Sequence, residues 1–172
     1  ANRLDPYLMA ALVAQESTFT AEVRSGANAW GLMQLLPSTG RTYARRLGIR
    51  PFSTASLTRP ETNIRLGMAY FKDLIARFGG AYFALASYNA GESRVSHWLS
   101  ARPGIAQDEF IDDIPFPETQ GYVKRILGTA EDYRHLYGEG LLTPASLKEA
   151  PGKPPAKNPA AKKRPVPITA PR

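Results

Sequence analysis

Three prolines divide much of this chain into helices. Pro6, Pro37 and Pro60 each head a segment whose apolar residues recur every three or four positions. Proline has no N–H to donate and a fixed φ, so the first turn of a helix tolerates it while a helix interior or a central strand does not. Asp5 precedes Pro6 as an N-cap, and Leu8, Met9, Leu12 and Val13 then fall on one stripe. Pro37 opens a helix over residues 37–47 that stops at Gly48. Pro60 opens a longer one carrying Ile64, Met68, Phe71, Leu74, Ile75 and Phe78, ended by Gly79-Gly80. That stripe reads as core packing. Shorter helices are expected over residues 81–88 and 92–100, and a last one from Glu118 through Tyr122, Val123, Ile126, Leu127 and Tyr133. With no convincing alternating segment, the expected class is all-α.

A chain of 172 residues with 43% hydrophobic content suits one globular core. Residues 1–150 are assigned to that domain and residues 151–172 to a tail. The tail holds seven of the 15 prolines and six Lys or Arg with no acid, so of the formal charge of +7 only +7 − 6 = +1 belongs to residues 1–150. Such a composition cannot maintain a packed core, and the tail is expected to be a disordered, solvated extension with no nucleic-acid partner implied. Cysteine is absent and the two histidines are far apart, so no metal site or other cofactor is expected. No segment approaches the apolar length of a membrane span and the first residues lack a hydrophobic signal core. The first helix begins almost at once, which is the expectation for a mature or excised domain with a preceding region.

Glu16 breaks the helical pattern. It lies four residues after Leu12 and three after Val13, so the periodicity that buries them draws a carboxyl toward the apolar interior. Desolvation raises its pKa, and the negative end of the helix dipole pushes the same way. Moving a glutamic acid up by roughly two pH units, as acid catalysis near neutrality asks, corresponds to about 2.7 kcal/mol. On position alone, a solvated and frayed helix end is an equally good reading.

Further segments separate these readings. Glu16-Ser17 and Phe19 are followed by Ser25-Gly26-Ala27, by Gly31-Leu32-Met33-Gln34 closed by Pro37, by Ala86-Ser87-Tyr88-Asn89-Ala90-Gly91, and by Pro115-Phe116-Pro117-Glu118-Thr119-Gln120-Gly121-Tyr122-Val123. In this order and spacing, over roughly residues 5 to 137, the chain resembles the catalytic domain of soluble lytic transglycosylases, relatives of goose-type lysozyme that cleave bacterial peptidoglycan. Around Glu118 it is most similar to the large periplasmic members from Gram-negative bacteria.

The resemblance implies a compact lysozyme-like helical domain with a groove for a glycan strand, located in the periplasm or cell envelope. It makes Glu16 the catalytic residue and Ser17, Ser25, Gln34, Tyr88, Asn89 and Glu118 the substrate-binding set. Glycosidases ordinarily need two carboxyls, and the matched motifs supply one; Glu22 and Asp5 read as surface or capping residues. An N-acetyl group on the sugar replaces the second carboxyl in substrate-assisted enzymes. The resemblance implies that version, with Glu16 cleaving the β-1,4 bond between N-acetylmuramic acid and N-acetylglucosamine and a 1,6-anhydro ring closing. Each assignment has a structural counterpart: Tyr88 as a buried tyrosine, Asn89 as a turn residue, Ser17 as an orienting or capping hydroxyl, Met33 as core and Glu118 as a helix N-terminal acid.

The sequence departs from the family at Leu36, where Met is frequent, at Gln120, where Arg is common, and at Trp30, a usually small position that reads as a sugar platform or a core cover. A hydrolytic muramidase using the same Glu16, and a non-catalytic peptidoglycan-binding module, are the competing functions. Peptidoglycan strands are the expected partner, with other cell-wall proteins left open.

Overall fold

The computed structural model describes residues 4–138. Seven α-helices run through them: α1 (Pro6–Ser17), α2 (Pro37–Arg46), α3 (Pro60–Phe78), α4 (Ala81–Ala90), α5 (Glu92–Ala101), α6 (Gln107–Asp113) and α7 (Pro117–Tyr137). A 3-10 turn at Thr54–Thr58 precedes α3, and no β-strand occurs among the described residues beyond two isolated bridges. The expected all-α class holds. The expected tail at 151–172, and the end of the 1–150 domain, lie outside the described residues.

The prolines act as the sequence predicts: α1, α2, α3 and α7 all have Pro in the first turn. Asp5 caps α1 by accepting from the Tyr7 N–H at 3.0 Å, and α3 ends on Gly79 in the left-handed region, φ 80°. Helix α6 is the element that periodicity missed. Its seven residues bury only Phe110, too few positions to display a stripe. What fixes it is tertiary: the Gln107 side chain accepts from the Tyr82 N–H at the start of α4.

Helix α4 is the centre of the domain. Phe83, Ala84, Leu85, Ala86 and Ser87 are buried in succession, because α3, α5, α6 and α7 surround it. Helices α1 and α7 lie antiparallel against each other. Glu16 meets Tyr122 at one end of the pair, and Asp5 forms an ion pair with Arg134 at the other. Leu8, Met9, Leu12 and Val13 are buried as the stripe required, and Leu12 is fully enclosed. Burial of a side chain of that size stabilises the fold by roughly 1.5–3 kcal/mol.

The stripe on α3 is rotated from its expected position. Phe71 and Leu74 are buried, but Ile64, Met68, Ile75 and Phe78 are only partly so, while Asn63, Leu66 and Gly67 are enclosed. A buried asparagine pulls the face round, because its amide satisfies backbone groups that cross the helix.

Candidate active site

Glu16 ends α1 one residue before the helix stops. Thr18 closes the helix in the left-handed conformation, its N–H returning to the Ala14 carbonyl at 3.0 Å, and Phe19 is left-handed as well. A β-branched and a bulky residue are both costly there, so the chain turns away from Glu16 through a strained corner.

The corner leads into a loop, residues 18–36, that folds back toward the core. Asn63 on α3 holds it in place. Its Nδ2 donates to the Trp30 and Leu57 carbonyls, each at 2.8 Å, and its Oδ1 accepts from the Met33 N–H at 2.8 Å. Gly31 has φ +77°, and a Cβ there would lie 2.1 Å from the Leu57 carbonyl oxygen. Gly67 makes room for Met33, whose sulfur would be 2.4 Å from an added Cβ. The Met33 carbonyl, thus fixed, accepts from the Tyr88 hydroxyl at 2.7 Å.

Glu16 is half-buried and faces two tyrosines. Tyr122 of α7 donates its hydroxyl to Oε1 of Glu16. Tyr88 of α4 is close enough that the Glu16 charge helps to push its ionisation upward, after the larger effect of burial. Burial and Glu16 likewise raise Tyr122 well above the usual phenol range. Desolvation carries the Glu16 carboxyl from 4.5 to about 7, against the Tyr122 hydrogen bond, which favours the ionised form.

Glu16 is also alone. Among the described residues the other half-buried acids, Asp5, Asp73 and Glu92, form ion pairs with Arg134, Arg46 and Arg77, and the remaining acids are exposed. No cation pairs with Glu16 among the described residues, and no second carboxyl shares its setting. The site can therefore hold a neutral acid near pH 7 with one oxygen occupied by a phenol.

Tyr88 apart, the expected binding residues divide into three groups. Ser17 turns inward: it is 6% exposed and its hydroxyl lies 2.9 Å from the Leu32 carbonyl and 3.1 Å from that of Val13, so it ties α1 to the loop. Ser25 and Gln34 shape the loop. The Ser25 hydroxyl accepts from the Ala29 N–H at 3.1 Å, and the Gln34 amide donates to the Gly31 and Val23 carbonyls at 2.9 and 3.2 Å. Asn89 lies at the junction of α4 and α7, where its Oδ1 accepts from the Thr119 hydroxyl at 2.8 Å, and Glu118, next to Thr119 in sequence, is exposed.

Two residues escaped sequence reasoning. Tyr122 reads as one more apolar position of the last helix, although a buried phenol always needs a partner for its hydroxyl. Asn63 carries no local signal, since its partners are 6 to 33 residues away. Of the three departures, Trp30 is half-buried and packs against the core, its N–H donating to Asn28 at 2.8 Å and its ring covered by the Arg24 guanidinium. Gln120 donates to the Ile111 and Asp112 carbonyls at the end of α6, and Leu36 is exposed.

A family model described as "Transglycosylase SLT domain" matches residues 1–111. The soluble lytic murein transglycosylase of Salmonella typhimurium is 39% identical over 132 residues, covering 75% of this chain and 20% of that protein. An inactive mutant of the lytic transglycosylase Slt from Pseudomonas aeruginosa superposes with a TM-score of 0.71 at 41% identity, over 77% of this chain and 22% of the other. The 70-kDa soluble lytic transglycosylase from Escherichia coli gives 0.74 at 34% identity, over 84% and 24%. The chain spans about a fifth of the length of the soluble lytic murein transglycosylases it matches. With the family model covering well over half of its residues and this fold shared at such identities, the chain belongs to the transglycosylase SLT domain family.

Proposed function

We propose that this chain is the catalytic domain of a peptidoglycan lytic transglycosylase of the periplasm or cell envelope, with Glu16 as its single acid and base. The observation that carries the reading is the lone Glu16 carboxyl, with no arginine partner among the described residues and pushed up to about 7. A group that ionises near the working pH serves both as donor and as acceptor. Membership of the family and the word murein in the relative's name supply the substrate class.

The Tyr122 hydroxyl occupies Oε1, so in the neutral acid the proton sits on Oε2. From there it passes to the glycosidic oxygen between N-acetylmuramic acid and N-acetylglucosamine. The C1–O bond breaks as the N-acetyl carbonyl oxygen of the muramoyl unit attacks C1, giving an oxazolinium. Glu16, now a carboxylate, takes the proton of the C6 hydroxyl, O6 attacks C1, and the N-acetyl group is restored. One C–O bond is broken, one is formed, Glu16 ends protonated, and no water is consumed.

The remaining assignments follow the same reading. Among the described residues, Gln34 Oε1, Asn89 Nδ2 and the Glu118 carboxylate have no hydrogen-bond partner, so these atoms are the ones offered to sugar hydroxyls and N-acetyl groups. Ser25 shapes the loop from which Gln34 acts, Tyr88 fixes the Met33 backbone beside the acid, and Ser17 anchors the helix end.

The test is the substitution Glu16→Gln. Purified sacculi are incubated with each protein and clearing is followed as turbidity, with circular dichroism as the fold control. A folded variant whose clearing rate falls at least a hundredfold, within the range of about 10² to 10⁴ for general acid catalysis, supports the reading. A folded variant of near-normal rate refutes it.

A further inference from the structure

The pocket between α5 and α6 has the chemistry of a sugar site and is separate from Glu16. It encloses a volume of ≈ 480 Å³, within the range of about 300–1,000 Å³ typical of ligand pockets. Trp98, Ile105 and Phe110 give it an apolar floor, and His97, Arg102 and Asp113 supply polar groups. The floor is rigid. Phe110 is 3% exposed and its ring packs edge-on against Phe83 at 4.9 Å, while Trp98 lies 6.5 Å from Phe110 and 5.2 Å from Phe116.

The polar groups are paired with one another. Arg102 forms an ion pair with Asp113 and sits 4.0 Å from Glu109. Its charge is therefore already answered, which disfavours a phosphate or carboxylate ligand. A fixed guanidinium beside a fixed carboxylate instead offers adjacent donors and acceptors to a neutral polyol, and the imidazole of the exposed His97 adds another. An apolar ring face for the C–H face of a pyranose completes the match. The site is also continuous with the proposed groove: Phe116, packed edge-on against Trp98, is followed directly by Pro117 and Glu118, and Tyr122, which holds Glu16, lies one helical turn further along α7.

We infer that this pocket is an accessory subsite for an N-acetylhexosamine unit of the glycan strand, beyond the units that flank the scissile bond. The inference rests on the proposed function for the identity of the polymer. Its sugar comes either from the strand being cut or from a neighbouring strand.

Trp30 and Trp98 are the only two tryptophans of the chain, so in a Trp30→Phe protein the indole emission reports the pocket alone. That protein, also carrying Glu16→Gln to prevent turnover, is titrated with the β-1,4 tetramer of N-acetylglucosamine. A saturable change in emission is expected, with the affinity about tenfold weaker when Arg102→Ala removes the charged donor. His97→Ala, which leaves the Arg102–Asp113 pair in place, should weaken it severalfold and serves if Arg102→Ala unfolds. An emission that stays flat, or a response that neither substitution weakens, overturns the inference. So does a response to free stem peptide in place of the tetramer. With Glu16 intact, Arg102→Ala should raise KM severalfold at unchanged kcat on long strands. Unchanged kinetics on a soluble hexasaccharide together with weaker binding to sacculi assigns the sugar to a neighbouring strand, and a raised KM on the hexasaccharide assigns it to the same strand. Cleavage of sacculi by the wild-type chain is scored separately, so a flat emission from a protein that still cleaves removes the subsite and leaves the proposed reaction standing.

Discussion

Glu16 is held in a state that costs the fold stability, and Glu16→Gln should reveal how much. In the unfolded chain the carboxyl ionises near 4.5, and in the folded protein near 7, because burial disfavours the charge. Below pH 4.5 the group is protonated in both states and costs nothing. Between 4.5 and 7 the unfolded chain has released a proton that the folded one still holds, so stability falls as pH rises. Above 7 both states are ionised and the full penalty applies. The interval from 4.5 to about 7, at about 1.36 kcal/mol per pH unit, gives a cost on the order of 3 kcal/mol. Glutamine is neutral throughout and keeps an oxygen for Tyr122 to donate to, so the substitution removes the penalty without removing the hydrogen bond. Urea unfolding at pH 4, 6 and 8 should show the two proteins equal at pH 4, with the variant gaining at pH 6 and exceeding the parent by up to about 3 kcal/mol at pH 8. A gap that does not change with pH, or a variant that is less stable at pH 8, refutes the view that an apolar setting holds the acid neutral.

Three further outcomes follow from the same contacts. The Tyr122 hydrogen bond favours the ionised form of Glu16, so Tyr122→Phe should move the alkaline limb of kcat against pH upward, and a limb that moves down contradicts the assigned geometry. Asn63→Ala strands the Met33 N–H and the Trp30 and Leu57 carbonyls, and calorimetry should register a loss of about 3 kcal/mol or more, together with reduced activity because the Met33 carbonyl positions Tyr88. The Ser87 hydroxyl is buried without a partner among the described residues, so Ser87→Ala should leave stability unchanged or raise it by about 1 kcal/mol in urea unfolding.

The legible parts of this molecule are those in which neighbours in sequence are neighbours in space. Asp5 and Pro6 specify the start of α1 through contacts within one turn, and the stripe through Leu12 and Val13 places Glu16 correctly on the inner side of the helix. Glu16 was therefore visible as an anomaly before any fold was known. Its environment was not. Tyr122 is 106 residues away, and nothing local distinguishes it from the other apolar positions of α7. Asn63 is the converse case: a polar residue beside a helical stripe ordinarily marks an exposed edge, whereas here it is buried and turns the face of α3 inward to satisfy the loop that carries Met33 and Gln34. For Ser17 the anchoring alternative is the one its contacts fit: adjacency to a catalytic candidate says nothing about which side of the helix end a hydroxyl occupies, and the Leu32 carbonyl takes it inward.

The central claim, that a single carboxyl at Glu16 completes the reaction without water, is tested most directly by digesting sacculi with this chain in ¹⁸O-enriched water and weighing the released muropeptides. The account predicts 1,6-anhydromuramoyl ends that are one water lighter than reducing ends and carry no ¹⁸O. Reducing ends labelled with ¹⁸O would contradict it, because water would then have taken the place of the C6 hydroxyl.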